Sequence, residues 1–172
     1  MPLRLLTPDD AAAARELRLR ALRDDPAAFG STYADEVDRP VTFTRERLAD
    51  PDYGFVLGAF DDAEHLIGVV GCYPERARKR RHIAVIWGMF VAGEARGQGI
   101  GRALLDACIA HVPTVWPDVE QIQLTVVPDQ SAARALYAAC GFRSWGVEPH
   151  AMRDERRHYD MEHMWLPLRD QR

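Results

Sequence analysis

The feature that most constrains the fold is a glycine-rich stretch, Val91–Arg102, which reads V-A-G-E-A-R-G-Q-G-I-G-R. An apolar run, Ile83–Val91, leads into it and predicts a buried strand. Beyond the stretch, apolar residues recur at helical spacing from Ile100 to Cys108, which predicts an amphipathic helix. The glycines therefore lie where a strand turns into a helix, and the chain is expected to fold as a mixed α/β sheet.

The turn has the chemical properties of a site for a diphosphate. Gly97, Gly99 and Gly101 lack a Cβ atom, so a ligand can approach the backbone closely. The first turn of the helix presents unpaired N–H groups and a partial positive charge, and both favour phosphate. Arg96 and Arg102 flank the turn and can add charged hydrogen bonds to phosphate oxygens. The residues alone leave a second interpretation open, in which the turn binds no ligand.

The spacing of the glycines excludes two better-known nucleotide-binding loops. The dinucleotide-binding pattern G-x-G-x-x-G requires a glycine where Arg102 stands. The triphosphate-binding loop requires Gly-Lys-Ser/Thr, and the only lysine of the chain, Lys79, lies outside the turn. What remains is the pattern R-x-x-G-x-G, formed by Arg96, Gly99 and Gly101.

Strands and helices alternate along the chain without a repeat or a linker, so residues 1–172 are expected to form one domain. Strands are predicted at Leu3–Leu6, Tyr53–Phe60, His65–Tyr73, Ile83–Val91, Gln121–Val127, Phe142–Val147 and His158–Leu168. Helices are predicted at Ala11–Arg23, Thr44–Asp50 and Gln130–Gly141, besides the one that follows the glycines. Pro113 and Pro117 are expected to end that helix. The segment 27–36 can be a loop or a further helix.

Charge and composition argue against several classes of function. The formal net charge of −4 argues against nucleic acid as a partner. No apolar stretch is long enough to span a membrane and the N-terminus has no signal-peptide core, so a cytoplasmic protein with no membrane partner is expected. The three cysteines, Cys72, Cys108 and Cys140, lie in apolar contexts and are expected to be free thiols.

Two segments together resemble the signatures of the GNAT superfamily of N-acetyltransferases. The turn is similar to the first signature, R/Q-x-x-G-x-G/A. The second signature, N-x-x-A-x-x-L-Y-x-x-x-G-F, is matched by Ala133, Leu136, Tyr137, Gly141 and Phe142, with Gln130 at the asparagine position. The resemblance implies a mixed, mostly antiparallel central sheet with splayed middle strands and helices on both faces.

The chemistry that the resemblance implies is transfer of an acetyl group from acetyl-CoA to a primary amine. The acceptor would be a small molecule, an amino acid or a peptide N-terminus, and it would attack directly in a ternary complex. Residues expected to bind the cosubstrate are Met89, Phe90, Val91, Arg96, Gly97, Gln98, Gly99, Ile100, Gly101, Arg102, Gln130 and Ala133. A non-catalytic acyl-CoA sensor of the same fold is the alternative.

Proton transfer requires an acid and a base. Tyr137 resembles the family's general acid, which protonates the leaving thiolate; its alternative role is that of a core aromatic on an amphipathic helix. Some relatives carry a glutamate near the start of the central strand, but 82–91 contains no carboxylate. The candidates for the base are His82, which lies next to that strand, and Glu36, with Glu148 and His150 as rivals.

Aromatic residues are the candidates for an acceptor site. Phe29, Tyr33 and Trp87 either line the substrate mouth or pack against the core. The histidines at 150, 158 and 163 fit no compact ligand spacing, so no metal is expected. Since many members of the family dimerise, the resemblance leaves a homodimer open.

Overall fold

A seven-stranded sheet forms the centre of residues 2–168, the part of the chain that the computed structural model describes. The strands are β1 (Leu3–Leu5), β2 (Phe55–Phe60), β3 (Leu66–Pro74), β4 (Ile83–Val91), β5 (Gln121–Val126), β6 (Arg143–Arg153) and β7 (His158–Pro167). The helices are α1 (Ala11–Asp24), α2 (Tyr33–Glu36), α3 (Val41–Ala49), α4 (Ile100–Val115) and α5 (Ser131–Ala139). None of the helices in this part of the chain combines the length and apolar character needed to cross a bilayer.

The order of the strands across the sheet is β1-β2-β3-β4-β5-β7-β6. Neighbouring strands run antiparallel except β4 and β5, which are parallel and are connected through α4. A parallel pair needs such a crossover, because its strands run in the same direction. The prediction of a mixed, mostly antiparallel sheet is confirmed.

The middle of the sheet opens into a V between β4 and β5. The two strands pair only where Ile83–Val85 lies beside Gln121–Gln123. Beyond these positions β4 continues to Val91 and β5 to Val126, without pairing to each other. The facing edges therefore carry backbone groups that no strand of residues 2–168 pairs, and the expected splay is confirmed.

A β-bulge in β4 lies at the point where the strands separate. Phe90 pairs with Val69 and Trp87 with Gly71, so one extra residue of β4 is accommodated between these pairs, where Gly88 has φ +63°. Residues three apart on a regular strand point to opposite faces. The bulge changes this, and Trp87 and Phe90 come to lie on the same face.

Helices cover both faces of the sheet, as expected. On one face, α1 packs Leu17 into a cluster with Phe90 and Val69. On the other, α4 packs Leu104 into the main core, which includes Val70. Adjacent residues of a strand point to opposite faces, so Val69 and Val70 belong to different clusters.

Helix α4 runs through Pro113 and ends at Val115, two residues before Pro117. Of the two prolines expected to end this helix, Pro113 was therefore wrong and Pro117 agrees with the observed end. Proline removes one donor, here to the carbonyl of Ile109, and the loss falls in the last turn where few helical bonds remain. The N–H of Trp116 donates to Val112 at 2.9 Å, and the Val112 side chain is fully buried. Packing therefore keeps this turn helical.

Two other segments bear on the predictions: one strand is longer than predicted, and the segment left open as a loop or a helix contains helical turns. Strand β6 extends to Arg153, past the predicted end at Val147, because it follows β7 across two register shifts. The segment 27–36 contains part of a 3-10 turn, Pro26–Ala28, and the short helix α2. The remaining elements begin and end within a few residues of the predicted bounds.

A buried ion pair fixes α5 on the sheet. Glu162 of β7 is 5% exposed and pairs with Arg134 of α5. The hydrogen bond from Arg134 lowers the pKa of Glu162; burial opposes this shift, and a hydrogen bond with Ser144 adds to it. The pair therefore holds Glu162 as a carboxylate and holds α5 against β7.

Glu162→Gln is expected to lower the melting temperature at about pH 7 by about 2–4 °C, the shift that ~1 kcal/mol produces in a domain of this size. The pKa of Glu162 is lower in the folded state, so the ion pair stabilises the fold above the unfolded value of about 4.3, and this stabilisation is lost as pH falls through the folded value. The two proteins should therefore converge once the pH falls below the folded pKa of Glu162. Thermal unfolding across pH tests this, with Glu155→Gln at an exposed position as the control; a difference that persists at low pH would contradict it.

Candidate active site

A cleft of about 420 Å³ lies where β4 and β5 separate, and we call it the splay cleft. Its walls are the end of β4, the glycine turn, the end of β5 and one side of α5. It brings together eleven of the twelve residues predicted to bind the cosubstrate: Met89, Phe90, Val91, Arg96, Gly97, Gly99, Ile100, Gly101, Arg102, Gln130 and Ala133. Gln98 is not part of the lining, and its side-chain amide donates to the carbonyl of Glu94 at 3.2 Å.

The glycine turn presents backbone donors to the splay cleft. Gly99 caps α4 with φ +79°, and no side chain caps the helix. The N–H groups of Ile100, Gly101 and Arg102 form the first helical turn, where a helix supplies no acceptor of its own. A Cβ atom at Gly99 would meet no atom within 4 Å. Gly99 and these three residues all line the splay cleft, so a ligand in the cleft would lie beside the helix start.

The two arginines beside the turn are engaged by the protein. Arg96 forms an ion pair with Asp25 and donates to the carbonyl of Val91 at 2.9 Å. Arg102 pairs with Asp106 at 2.8 Å and donates to the carbonyl of Ala139 at 3.2 Å. These bonds use the guanidinium groups to fix the turn, which leaves the backbone N–H groups to receive an anion.

Tyr137 lies on the α5 side of the splay cleft and is 8% exposed. Its ring meets Phe142 edge-on, with 6.1 Å between the ring centres. Burial raises the pKa of Tyr137 to about 12, and the neighbouring Cys140 adds to this shift. No residue of 2–168 forms a hydrogen bond with its hydroxyl group. The phenol therefore stays protonated and can donate to a ligand.

A second cavity of about 280 Å³ lies on the opposite face of β4, bounded by α1, α3 and strands β2 to β4. We call it the α1–α3 cavity. It meets the splay cleft at Trp87, Gly88 and Phe90, which line both spaces. The bulge that turns Trp87 and Phe90 to one face thus forms the wall between two adjoining cavities.

Glu36 lines the α1–α3 cavity. Both of its carboxylate oxygens accept from Arg18, at 2.9 and 3.1 Å. Burial alone would raise the pKa of Glu36, but the hydrogen bonds and charge of Arg18 outweigh it, so the pKa lies below its ordinary value. Glu36 is therefore a carboxylate at neutral pH, and no other Asp or Glu of the described residues lines this cavity.

A family model described as "Acetyltransferase (GNAT) family" matches residues 16–142. The chain belongs to the GNAT acetyltransferase family. The resemblance of its two signature segments to this family is thereby confirmed.

Relatives of this GNAT protein match at low sequence identity. A mycothiol acetyltransferase from Salinispora arenicola is 31% identical over 150 residues, which is 86% of this chain and 45% of that protein. The chain spans about half the length of the curated relatives that it matches first. A GNAT acetyltransferase from Streptococcus pneumoniae has a TM-score of 0.86 at 23% identity, over 97% of this chain and 99% of that one. A structure from Salmonella typhimurium, solved with its cofactor acetyl-CoA, has a TM-score of 0.83 at 20% identity, over 100% and 96%.

The three aromatic candidates for the acceptor site lie in different places within the GNAT fold. Trp87 lines both cavities. Phe29 lines the splay cleft, with the guanidinium of Arg18 4.8 Å from its ring centre. Tyr33, on α2, lines neither cavity and lies under Arg23. The structure thus brings Trp87 and Phe29 to the cleft and leaves Tyr33 outside it.

Three of the four candidates for the base also lie outside both cavities. His82 precedes β4 at the end remote from the bulge, and its carbonyl accepts from the N–H of Glu120 at 2.8 Å. Glu148 and His150 belong to β6, at the edge of the sheet, and Glu148 lies 3.2 Å from His163. Glu36 alone of these candidates lines a cavity among the described residues.

Residues of α3 form a wall that sequence reasoning did not find. Phe43 and Arg47 line the α1–α3 cavity. Their i, i+4 spacing predicts that they share a face of the helix. Nothing in the sequence indicated that this face covers a cavity, because that depends on how α3 packs against α1.

Proposed function

We propose that this GNAT protein transfers the acetyl group of acetyl-CoA to a primary amine, by direct attack of the amine in a ternary complex. The observation that carries the proposal is the splay cleft, whose walls include an uncapped helix start, an unpaired strand edge and Tyr137. These groups suit, in that order, a diphosphate, an extended amide-bearing arm and a leaving thiolate.

The turn and the strand edge would hold the cosubstrate. The N–H groups of Ile100, Gly101 and Arg102 suit the pyrophosphate, because the start of a helix attracts anions. The unpaired edge of β4 beside Met89–Val91 suits the pantetheine arm, which can pair with it as an added strand would. A backbone N–H at the bulge can polarise the thioester carbonyl and stabilise the oxyanion that forms on attack.

The reaction moves one acetyl group and two protons. The neutral amine attacks the carbonyl carbon, a C–N bond forms, and the oxygen takes the negative charge. The C–S bond then breaks, the carbonyl re-forms, and the thiolate takes a proton from the Tyr137 hydroxyl. The nitrogen gives up its extra proton to a base, which releases it to solvent, and a proton from solvent restores the Tyr137 phenol. The products are the amide and free CoA.

The acceptor would enter through the α1–α3 cavity, which adjoins the splay cleft at the bulge. Glu36 is the carboxylate of its lining, and its lowered pKa keeps it ionised at neutral pH. Such a group attracts the ammonium form of the acceptor and can receive its proton through water. The relative named a mycothiol acetyltransferase is consistent with a small-molecule acceptor.

Glu36→Gln is expected to lower kcat/KM for the acceptor about 10–100-fold, because the neutral amide neither attracts an ammonium nor accepts its proton. Since the pKa of Glu36 lies below its ordinary value, its titration leaves the rate unchanged above about pH 5. A rise in rate above that pH then reports the loss of a proton from the acceptor's ammonium group, which gives the neutral amine that attacks. Steady-state rates across pH measure both effects, with the exposed Asp38→Asn as the matched control. An equal loss in the two variants would remove Glu36 from the reaction.

The proposed function is tested by two measurements on the same protein. Calorimetry measures the affinity for acetyl-CoA, and a thiol-reactive dye measures CoA release with a mixed panel of primary amines. We expect binding together with amine-dependent release. Tight binding without release on any amine would instead indicate an acyl-CoA sensor.

A further inference from the structure

Arg47 has an unusual environment in the α1–α3 cavity. Its guanidinium carbon lies over three aromatic rings, 5.7 Å from the ring centre of Phe43, 5.0 Å from that of Tyr53 and 4.9 Å from that of Trp87. Ring faces attract the cation. They leave the N–H groups around its rim without acceptors, and no hydrogen bond or ion pair to Arg47 occurs among residues 2–168.

Burial removes water from the charged guanidinium of Arg47, and no ion pair among the described residues compensates for this loss of solvation. Arg47 is half-buried, and desolvation lowers its pKa from the ordinary value. An arginine remains charged despite such a shift, because its reference pKa exceeds 12. A half-buried guanidinium without an anionic partner therefore has donors in reserve for a ligand.

The other charges of the cavity leave an excess of positive charge. Four arginines and one glutamate line it. Arg15 donates to the carbonyls of Val37 and Arg39, and Arg18 donates to both carboxylate oxygens of Glu36. Arg39 lies on the ring of Phe43, 4.9 Å from its centre, and has no carboxylate partner among the described residues. Arg39 and Arg47 thus remain as cations without an ion-pair partner among the described residues; the charge of Glu36 acts on both, but its carboxylate is paired with Arg18.

The indole of Trp87 adds a second donor beside Arg47. Its Nε1 atom is buried and has no hydrogen-bond partner among residues 2–168. Buried polar atoms are rarely left unpaired, so this donor calls for an acceptor, such as a ligand or water. Trp87 lines the cavity at its junction with the splay cleft. An oxyanion near this junction can accept from both the guanidinium and the indole.

We propose that the acceptor is an amino acid whose free carboxylate binds Arg47 and accepts from Nε1 of Trp87. This inference rests on the proposed function, since it identifies the acceptor of that reaction. The amine of the same molecule then lies toward Glu36 and the splay cleft, so the two charges of a zwitterion meet charges of opposite sign. A cavity of about 280 Å³ suits a single small molecule.

The test measures binding, so it does not depend on turnover. L-amino acids and their carboxamides are titrated into the protein–CoA complex and followed by ligand-observed NMR and calorimetry. For at least one L-amino acid we expect the acid to bind at least about 10-fold more tightly than its amide. Arg47→Gln should remove this preference, and Arg47→Lys should restore part of it, because the lysine keeps the charge without the planar fork.

Arg45→Gln is the matched control, because Arg45 lies on the same helix outside both cavities and pairs with Asp9 at the surface, at 3.4 Å. It should keep the wild-type preference. Melting temperature and acetyl-CoA affinity show whether each variant is folded. Equal binding of acids and amides, no binding of any acid, or an unchanged preference in a folded Arg47→Gln would each overturn the proposal. Acid binding that depends on Arg47 but occurs without CoA release would support the carboxylate site and contradict the proposed transfer, so the two failures are distinguishable.

Discussion

Gly99→Val is expected to weaken the binding of acetyl-CoA by at least about 100-fold. Gly99 has φ +79°, a left-handed conformation that a β-branched residue adopts only at a cost. The new side chain would also add apolar atoms beside the helix start, where Gly99 lines the splay cleft and a Cβ would contact no part of the described chain beyond its neighbours. Strain turns the donors of α4 away and the added methyl groups occupy the place of the anion, so both effects reduce affinity.

Gly93→Val is the matched control for this change. Gly93 lies in the same connection between β4 and α4, and a Cβ there also meets no atom within 4 Å, but the position has no positive φ and does not line the splay cleft. Its affinity for acetyl-CoA should stay within about threefold of the wild type. Calorimetry gives both affinities, and circular dichroism reports the fold. A folded Gly99→Val that binds acetyl-CoA normally would place the diphosphate elsewhere.

The sequence predicts best where the signal is local. The change from an apolar run to helical spacing predicted β4 with the bounds that the structure shows, Ile83–Val91. The same turn predicted the lining of the splay cleft, because the residues that bind a diphosphate at a helix start are adjacent in the chain. Only Gln98 points elsewhere, since its amide turns back to Glu94.

Prediction failed where the outcome depends on packing between distant segments. The α1–α3 cavity is formed by α1, α3 and three strands, and no local pattern indicates that Arg47 meets the ring of Trp87 there. His82 is next to β4 in the chain, yet a strand rises about 3.3 Å per residue, so it lies far from the bulge. The persistence of α4 through Pro113 likewise reflects tertiary packing.

A single irregularity in β4 links the two cavities. The extra residue at Gly88 turns Trp87 and Phe90 to the face of α1, and leaves Met89 near Gly101 on the face of α4. One strand therefore supplies the wall of the α1–α3 cavity and the open edge of the splay cleft. An acceptor and a thioester bound on opposite sides of this strand would meet at the bulge, where β4 no longer pairs with β5.

Tyr137→Phe is expected to lower kcat by about 10²–10⁴-fold and to leave the affinity for acetyl-CoA within about twofold. The pKa of Tyr137 is raised to about 12 by burial, against about 8.5 for a thiol in water. Proton transfer from one to the other would be uphill by roughly 5 kcal/mol. Burial of the thiol in the same cleft would raise its pKa as well and so reduce the gap. Removal of the hydroxyl would leave the thiolate without this donor.

The pH profile separates this role from packing. Because the pKa of Tyr137 is about 12, the phenol remains protonated below about pH 11, and it produces no alkaline fall in rate in the range where the enzyme can be assayed. Tyr73→Phe is the control, since Tyr73 lies on β3 outside both cavities. Acetyl-CoA affinity, kcat and melting temperature are measured for both variants. If Tyr137→Phe lost affinity and kcat equally, or kept its kcat, the tyrosine would be a packing residue of α5 and the thiolate would take its proton from elsewhere.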